Sequence, residues 1–127
     1  MSLKIISREV EFNITPLEKI AISVSNIMVE FDDKYEKRWR MTFQPYQAFK
    51  STTIDCIYTN QLLIDGKRPM FLLEEKDSQW IEELKVVLKC KDNSATFLEK
   101  SHHYLFPFQD IILEIVAWDN FKLEHLV

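Results

Sequence analysis

The sequence predicts an α+β fold. It reads as a strongly bent antiparallel β-sheet of about six or seven strands, able to curl toward a barrel, with one main amphipathic helix near residues 78–91. Three observations carry that expectation. Apolar and polar residues alternate repeatedly, most cleanly over residues 35–44, where Tyr35, Lys37, Trp39, Met41 and Phe43 share one side. Glu36, Arg38, Arg40, Thr42 and Gln44 take the other. A single segment instead shows helical spacing, with Trp80, Ile81, Leu84, Val87 and Leu88 on one stripe. Finally, nine Phe, four Tyr and three Trp in 127 residues favour strands and a bulky core.

In chain order, residues 3–12 read as a first strand. Residues 17–31 read as a longer strand whose phase slips at Ser25-Asn26, because Ile20, Ile22 and Val24 lie on even positions and Ile27, Val29 and Phe31 on odd ones. Such a slip predicts a bulge or a sharp bend. The strand at 35–44 ends at Pro45, which has no N–H to donate to a ladder. Residues 51–58 follow as a strand with Ile54, Cys56 and Tyr58 on one face. Asp65-Gly66-Lys67-Arg68-Pro69 marks a turn with its mechanism at Gly66 and Pro69, and Met70–Leu73 reads as a short strand. Asp77 or Ser78 can cap the helix, Glu82 and Glu83 sit early in it, and Lys85, Lys89 and Lys91 sit late, in keeping with its dipole. Tyr104-Leu105-Phe106 runs into a turn at Pro107–Asp110. Residues 111–118 are apolar on both faces apart from Glu114, as expected of a central strand. A last strand alternates around Phe121, Leu123 and His125.

The length predicts a single domain, residues 1–127, large enough to hold a core without a metal or disulfide staple. Only one glycine is present, Gly66. Phosphate-cradling loops need several, so the dinucleotide fingerprint, the P-loop and the nucleophile elbow are absent. The net charge of −4 disfavours nucleic acid and anionic membranes as partners. Cys56 and Cys90 are far apart, which fits reduced thiols and a cytoplasmic setting. No apolar run resembles a leader or a membrane span.

Few residues offer chemistry. His102 and His103 are neighbours on a strand and point to opposite faces, so no metal site and no cofactor are expected. Cys56 reads as a buried strand residue and Cys90 as a partly buried one. Glu114 stands out, because a carboxylate inside the most apolar strand must be solvated, paired to a base or lining a pocket. Residues 34–50 carry Lys34, Lys37, Arg38, Arg40 and Lys50 against Glu36 alone, interleaved with aromatics. The alternation turns Trp39, Met41 and Phe43 inward and leaves the arginines outside, which predicts a cross-strand salt-bridge face rather than a nucleic-acid platform.

Two stretches resemble known proteins. Ser78-Gln79-Trp80-Ile81-Glu82-Glu83-Leu84, and later His103-Tyr104, Asp110 and Glu114-Ile115-Val116-Ala117, resemble small uncharacterised bacterial proteins, some of which look like immunity proteins of contact-dependent or polymorphic toxin systems. The resemblance covers the last third of the chain and carries no catalytic residues. It implies a cytoplasmic protein that binds and blocks a partner. The leading expectation is therefore a non-enzymatic binding protein whose partner is another protein. Glu74, Glu75, Asp77, Glu82 and Glu83 could meet a basic surface and give salt-dependent association. The alternative is a small-molecule-binding or catalytic domain with an aromatic-lined cavity inside the bent sheet, lined by Glu114, His103, Tyr104, Trp39 and Trp118. Self-assembly through an exposed sheet edge is a third arrangement, giving a homo-oligomer.

Overall fold

Short alternating segments cannot bury their apolar faces singly, and here they do so in two antiparallel sheets that share one core. The computed structural model describes residues 2–127. In chain order the strands are β1 (Ser2–Ile5), β2 (Lys19–Ile22), β3 (Ile27–Asp32), β4 (Arg38–Phe43), β5 (Tyr46–Thr53), β6 (Leu73–Lys76), β7 (His102–Pro107), β8 (Ile111–Ala117) and β9 (Lys122–His125). Among the described residues there is one α-helix, α1, which spans Gln79–Lys91. One sheet has the order β1-β6-β7-β8-β5 and the other β2-β3-β4-β9. The α+β class is as the sequence predicts, but nine strands form two sheets in place of a single bent one, and these are not closed into a barrel.

The alternation assigns the faces. Ile27, Val29 and Phe31 of β3 and Met41 and Phe43 of β4 meet Tyr104 and Phe106 of β7 and Leu113, Ile115 and Ala117 of β8 across the central core. The outer face of the larger sheet is covered twice. Ile81, Leu84 and Leu88 of α1, with Leu98, pack on Val116 and Ala48. The segment 54–64 lays Leu62, Ile54, Ile57 and Ile64 over Leu73, Leu105 and Ile112. β8 is therefore apolar on both sides apart from Glu114, because both sides are covered.

Several boundaries differ from the sequence reading. The phase slip at Ser25-Asn26 is the sharp bend rather than the bulge, and it reverses the chain: the Ser23 amide donates to the Asn26 carbonyl at 2.9 Å, and the single strand expected over 17–31 becomes two, with β2 pairing with β3. The first strand stops at Ile5, and Phe12 keeps only an isolated bridge to Asp33. The strand expected at 51–58 runs from Tyr46 to Thr53 and gives way to a 3₁₀ turn at Ile54–Cys56, so Cys56 is exposed rather than buried. Cys90 is exposed too, on the outer side of α1, and Val87 falls outside the helix's buried stripe at 55% exposure. The strand expected at Met70–Leu73 begins at Leu73 and takes in Glu74 and Glu75, whose cross-strand partners hold them in register. Asp65 and Gly66, at φ 54° and 77°, form the two-residue turn between Ile64 and Lys67 that their sequence signals.

The β3–β4 hairpin shows how charge fixes local structure. Asp33 Oδ1 accepts from the amides of Tyr35 (2.8 Å) and Lys37 (3.0 Å), and Oδ2 accepts from the Trp39 indole at 2.9 Å. Arg38 lies 3.2 Å from Asp32 and Arg40 3.3 Å from Glu30, forming the expected cross-strand ion-pair face. Burial opposes the charge on Asp33, but the bonds from Trp39, Lys37 and Tyr35, aided by the Lys37 ammonium, hold its carboxyl below the usual range. A depressed folded-state pKa contributes stability above the unfolded value of about 3.9 and loses it as pH falls through the folded value. Asp33→Asn should therefore cost about 2 kcal/mol near neutrality, because an amide NH₂ would face the indole N–H. The same change should flatten the acid limb of stability, read from urea midpoints between about pH 5 and pH 2.

Candidate functional site

The outer face of the larger sheet is not uniformly apolar. A polar line steps across its strands: Lys50 of β5 pairs opposite Glu114 of β8, Glu114 lies diagonal to His103 of β7, and His103 pairs opposite Glu75 of β6. This line opens into a cleft of about 450 Å³ lined by Lys50, Glu75, Asp77, Trp80, His103 and Glu114, together with Ser2, Lys76 and Gln79.

At the base of the cleft, a hydrogen-bonded chain ties three distant segments together. Ser78 caps α1 by accepting from the Ile81 amide at 3.1 Å. Its Oγ lies 2.8 Å from His103 Nδ1, and His103 Nε2 lies 2.7 Å from Glu114 Oε1. One tautomer satisfies both contacts: Nε2–H donates to Glu114 while Nδ1 accepts from the Ser78 hydroxyl. His103 and Glu114 are only 5% and 7% exposed, so this chain orients the carboxylate in a largely dry setting where such bonds are strong. The second carboxylate oxygen of Glu114 lies 3.8 Å from Lys50 Nζ. That ammonium sits 4.4 Å from the centroid of the Trp80 ring. Trp80 in turn meets the His103 ring nearly edge-on, at 5.2 Å and 75°.

The arrangement places the Lys50 ammonium between a carboxylate and an aromatic face. A serine, a histidine and a carboxylate in a row invite comparison with a nucleophilic triad, but Ser78 does not line the cleft and its oxygen is engaged in capping the helix. Among the described residues, no group of three or more His, Cys, Asp or Glu side chains could hold a metal ion, and no helix is long and apolar enough to cross a membrane.

Two groups of residues kept apart by the sequence reading meet here. Glu114 and His103, read as pocket-lining, share the cleft with Glu75 and Asp77, read as partner-binding. The remaining residues go elsewhere. Tyr104 is buried on the opposite face against Phe43 and Phe121, where burial and the Glu74 and Asp119 carboxylates push its phenol pKa up. Trp39 lies in the smaller sheet beside His125. Trp118 donates to the Phe97 carbonyl at 3.0 Å, with Lys100 over its ring. Of the aromatic side chains expected to line a cavity within the sheet, Tyr104 and Trp39 thus pack in and against the core between the two sheets, Trp118 lies outside that core, and the cleft lies on the outer face of the larger sheet. Glu74 points away from the cleft, 2.6 Å from His102, while Glu82 and Glu83 are exposed on α1, Glu82 beside Lys85. Lys50 and Trp80 were missed as site residues. Helical spacing marked Trp80 only as core, and nothing near Lys50 in sequence reveals that it stands opposite Glu114.

No family model, curated protein or solved structure matches this chain.

Proposed function

We propose that this chain is a non-enzymatic binding protein that seats a Lys or Arg side chain of a partner protein in the Trp80–Glu114 cleft. The observation that carries the reading is the position of Lys50. Its ammonium already occupies a seat with an aromatic face on one side and a carboxylate, oriented from behind by His103, on the other. Aromatic faces and carboxylates together select cations, and more strongly where water is partly excluded. The Lys50 side chain is 48% exposed, so it fills the seat from the rim and can swing into solvent when a partner's cation arrives. The acidic Glu75 and Asp77 around the cleft, and the net charge of −4, favour approach by a basic surface. An immunity-like role, blocking a toxin-like protein in the bacterial cytoplasm, belongs to the same proposal. It rests on the resemblance in the last third of the chain.

The test exploits the sign of one substitution. Titration with N-acetyl-arginine amide and with a short basic peptide, followed at the Trp80 indole resonance, should give saturable shifts. Lys50→Ala should tighten binding several-fold by emptying the seat. Glu114→Gln, whose side-chain oxygen can still accept from His103, should weaken it by about tenfold. If Lys50→Ala leaves affinity unchanged or lowers it, Lys50 is simply a structural ion pair and the proposal fails. In native lysate, the protein should retain a partner at low salt that high salt and Glu114→Gln both release.

A further inference from the structure

A second cleft, sharing no lining residue with the first, lies where the segment after β1 meets the Asp65-Gly66 turn. We propose that it binds a small organic oxyanion, with a carboxylate or phosphate head on an apolar body. Arg8, Lys67 and Arg68 bring three cations to it, and Ile5, Ile64, Pro69, Met70 and Phe71 form its apolar lining. Its volume of about 470 Å³ falls among small-molecule sites, which span about 300–1,000 Å³.

These cations outnumber the carboxylates of the cleft and make no direct ion pair with them. Glu11 and Asp65 also line the cleft, yet among the described residues no ion pair within 4.0 Å joins either of them to Arg8, Lys67 or Arg68. Arg68 is the most demanding of the three. It is half-buried, one terminal nitrogen donates to the Phe108 carbonyl, and Nε is buried with no acceptor. Neither environment supplies a negative charge, and a desolvated guanidinium without one is costly. An oxyanion seated beside Arg68 would supply it. Arg8 is held for the same task, its guanidinium 5.5 Å from the centroid of the Phe71 ring. The two-residue turn matters as well, since it brings Lys67 and Arg68 back beside Ile64.

The head group and the apolar body make separable demands. Octanoate and octyl phosphate should each cause saturable amide shifts at Arg8, Lys67, Arg68 and Met70. Inorganic phosphate should bind the same residues more weakly, and octanol should not saturate them. The tighter of the two amphiphiles names the preferred head. Arg8→Gln and Lys67→Gln alter exposed side chains, keep the fold, and should each weaken binding by about tenfold. Absence of saturable shifts with both amphiphiles at millimolar concentration would overturn the proposal. So would shifts that map to other surfaces, or affinities that neither variant changes.

Discussion

Replacing His103 with leucine is expected to destabilise the chain by about 3–5 kcal/mol, because it leaves Glu114 buried without the donor that orients it. His103 Nε2 reaches Glu114 Oε1 at 2.7 Å and Nδ1 reaches Ser78 Oγ at 2.8 Å, so one substitution breaks two buried contacts. Lys50 cannot make up the loss, since it lies 3.8 Å away on the other carboxylate oxygen with its side chain 48% exposed. The double variant His103→Leu/Glu114→Leu should recover most of the loss, because an apolar pair can fill the space of a buried polar one at little cost. Urea unfolding of both single variants and the double would close the cycle. Additivity within about 0.5 kcal/mol would show that the two residues do not act together. The cycle also bears on function, because a carboxylate free to rotate would present no oriented seat for a cation.

Phe106→Ala should cost about as much, about 3–5 kcal/mol, for a different reason. Phe106 is fully buried at the junction of the two sheets. Its ring lies 5.7 Å from Phe12, 6.3 Å from Phe31, 6.0 Å from Phe43 and 5.5 Å from Phe108. Those rings come from separate parts of the chain and cannot all close on one vacated space. Phe106→Leu keeps most of the volume and should cost less than about 1.5 kcal/mol. If the two variants unfold at the same denaturant concentration, the cavity account is wrong. Neither change touches the outer cleft, so the Phe106→Leu variant should retain cation binding.

The candidate site was legible in part. Glu114 was conspicuous because a carboxylate interrupts an otherwise apolar strand, and that interruption correctly demanded a partner. Alternation puts His102 and His103 on opposite faces, but that His103 is the one beside Glu114 follows from the β7–β8 register. Lys50 and Trp80 could not be found as Glu114 was. Lys50 stands opposite Glu114 through strand register, which depends on pairing between residues far apart in sequence. Trp80 shares its helical stripe with Ile81 and Leu84, and periodicity marks a face without saying that its edge overhangs a cleft. The acidic run 74–83 was read as one surface. The strand divides it, sending Glu74 toward His102 and Glu75 into the cleft, because successive side chains leave a strand on opposite sides.

By itself, the sequence determined what local physical chemistry controls. Alternation turned Trp39, Met41 and Phe43 inward, helical spacing with a cap at Asp77 or Ser78 specified α1, Gly66 and Pro69 marked a turn, and a single glycine removed phosphate loops. Only the tertiary structure decided that the strands divide into two sheets, that the slip at Ser25-Asn26 is a hairpin, and that Lys50, Trp80, Glu114 and Arg68 border clefts. Those outcomes depend on contacts between segments distant along the chain. Their free energies arise from packing and register and leave no periodic trace in the residues that make them.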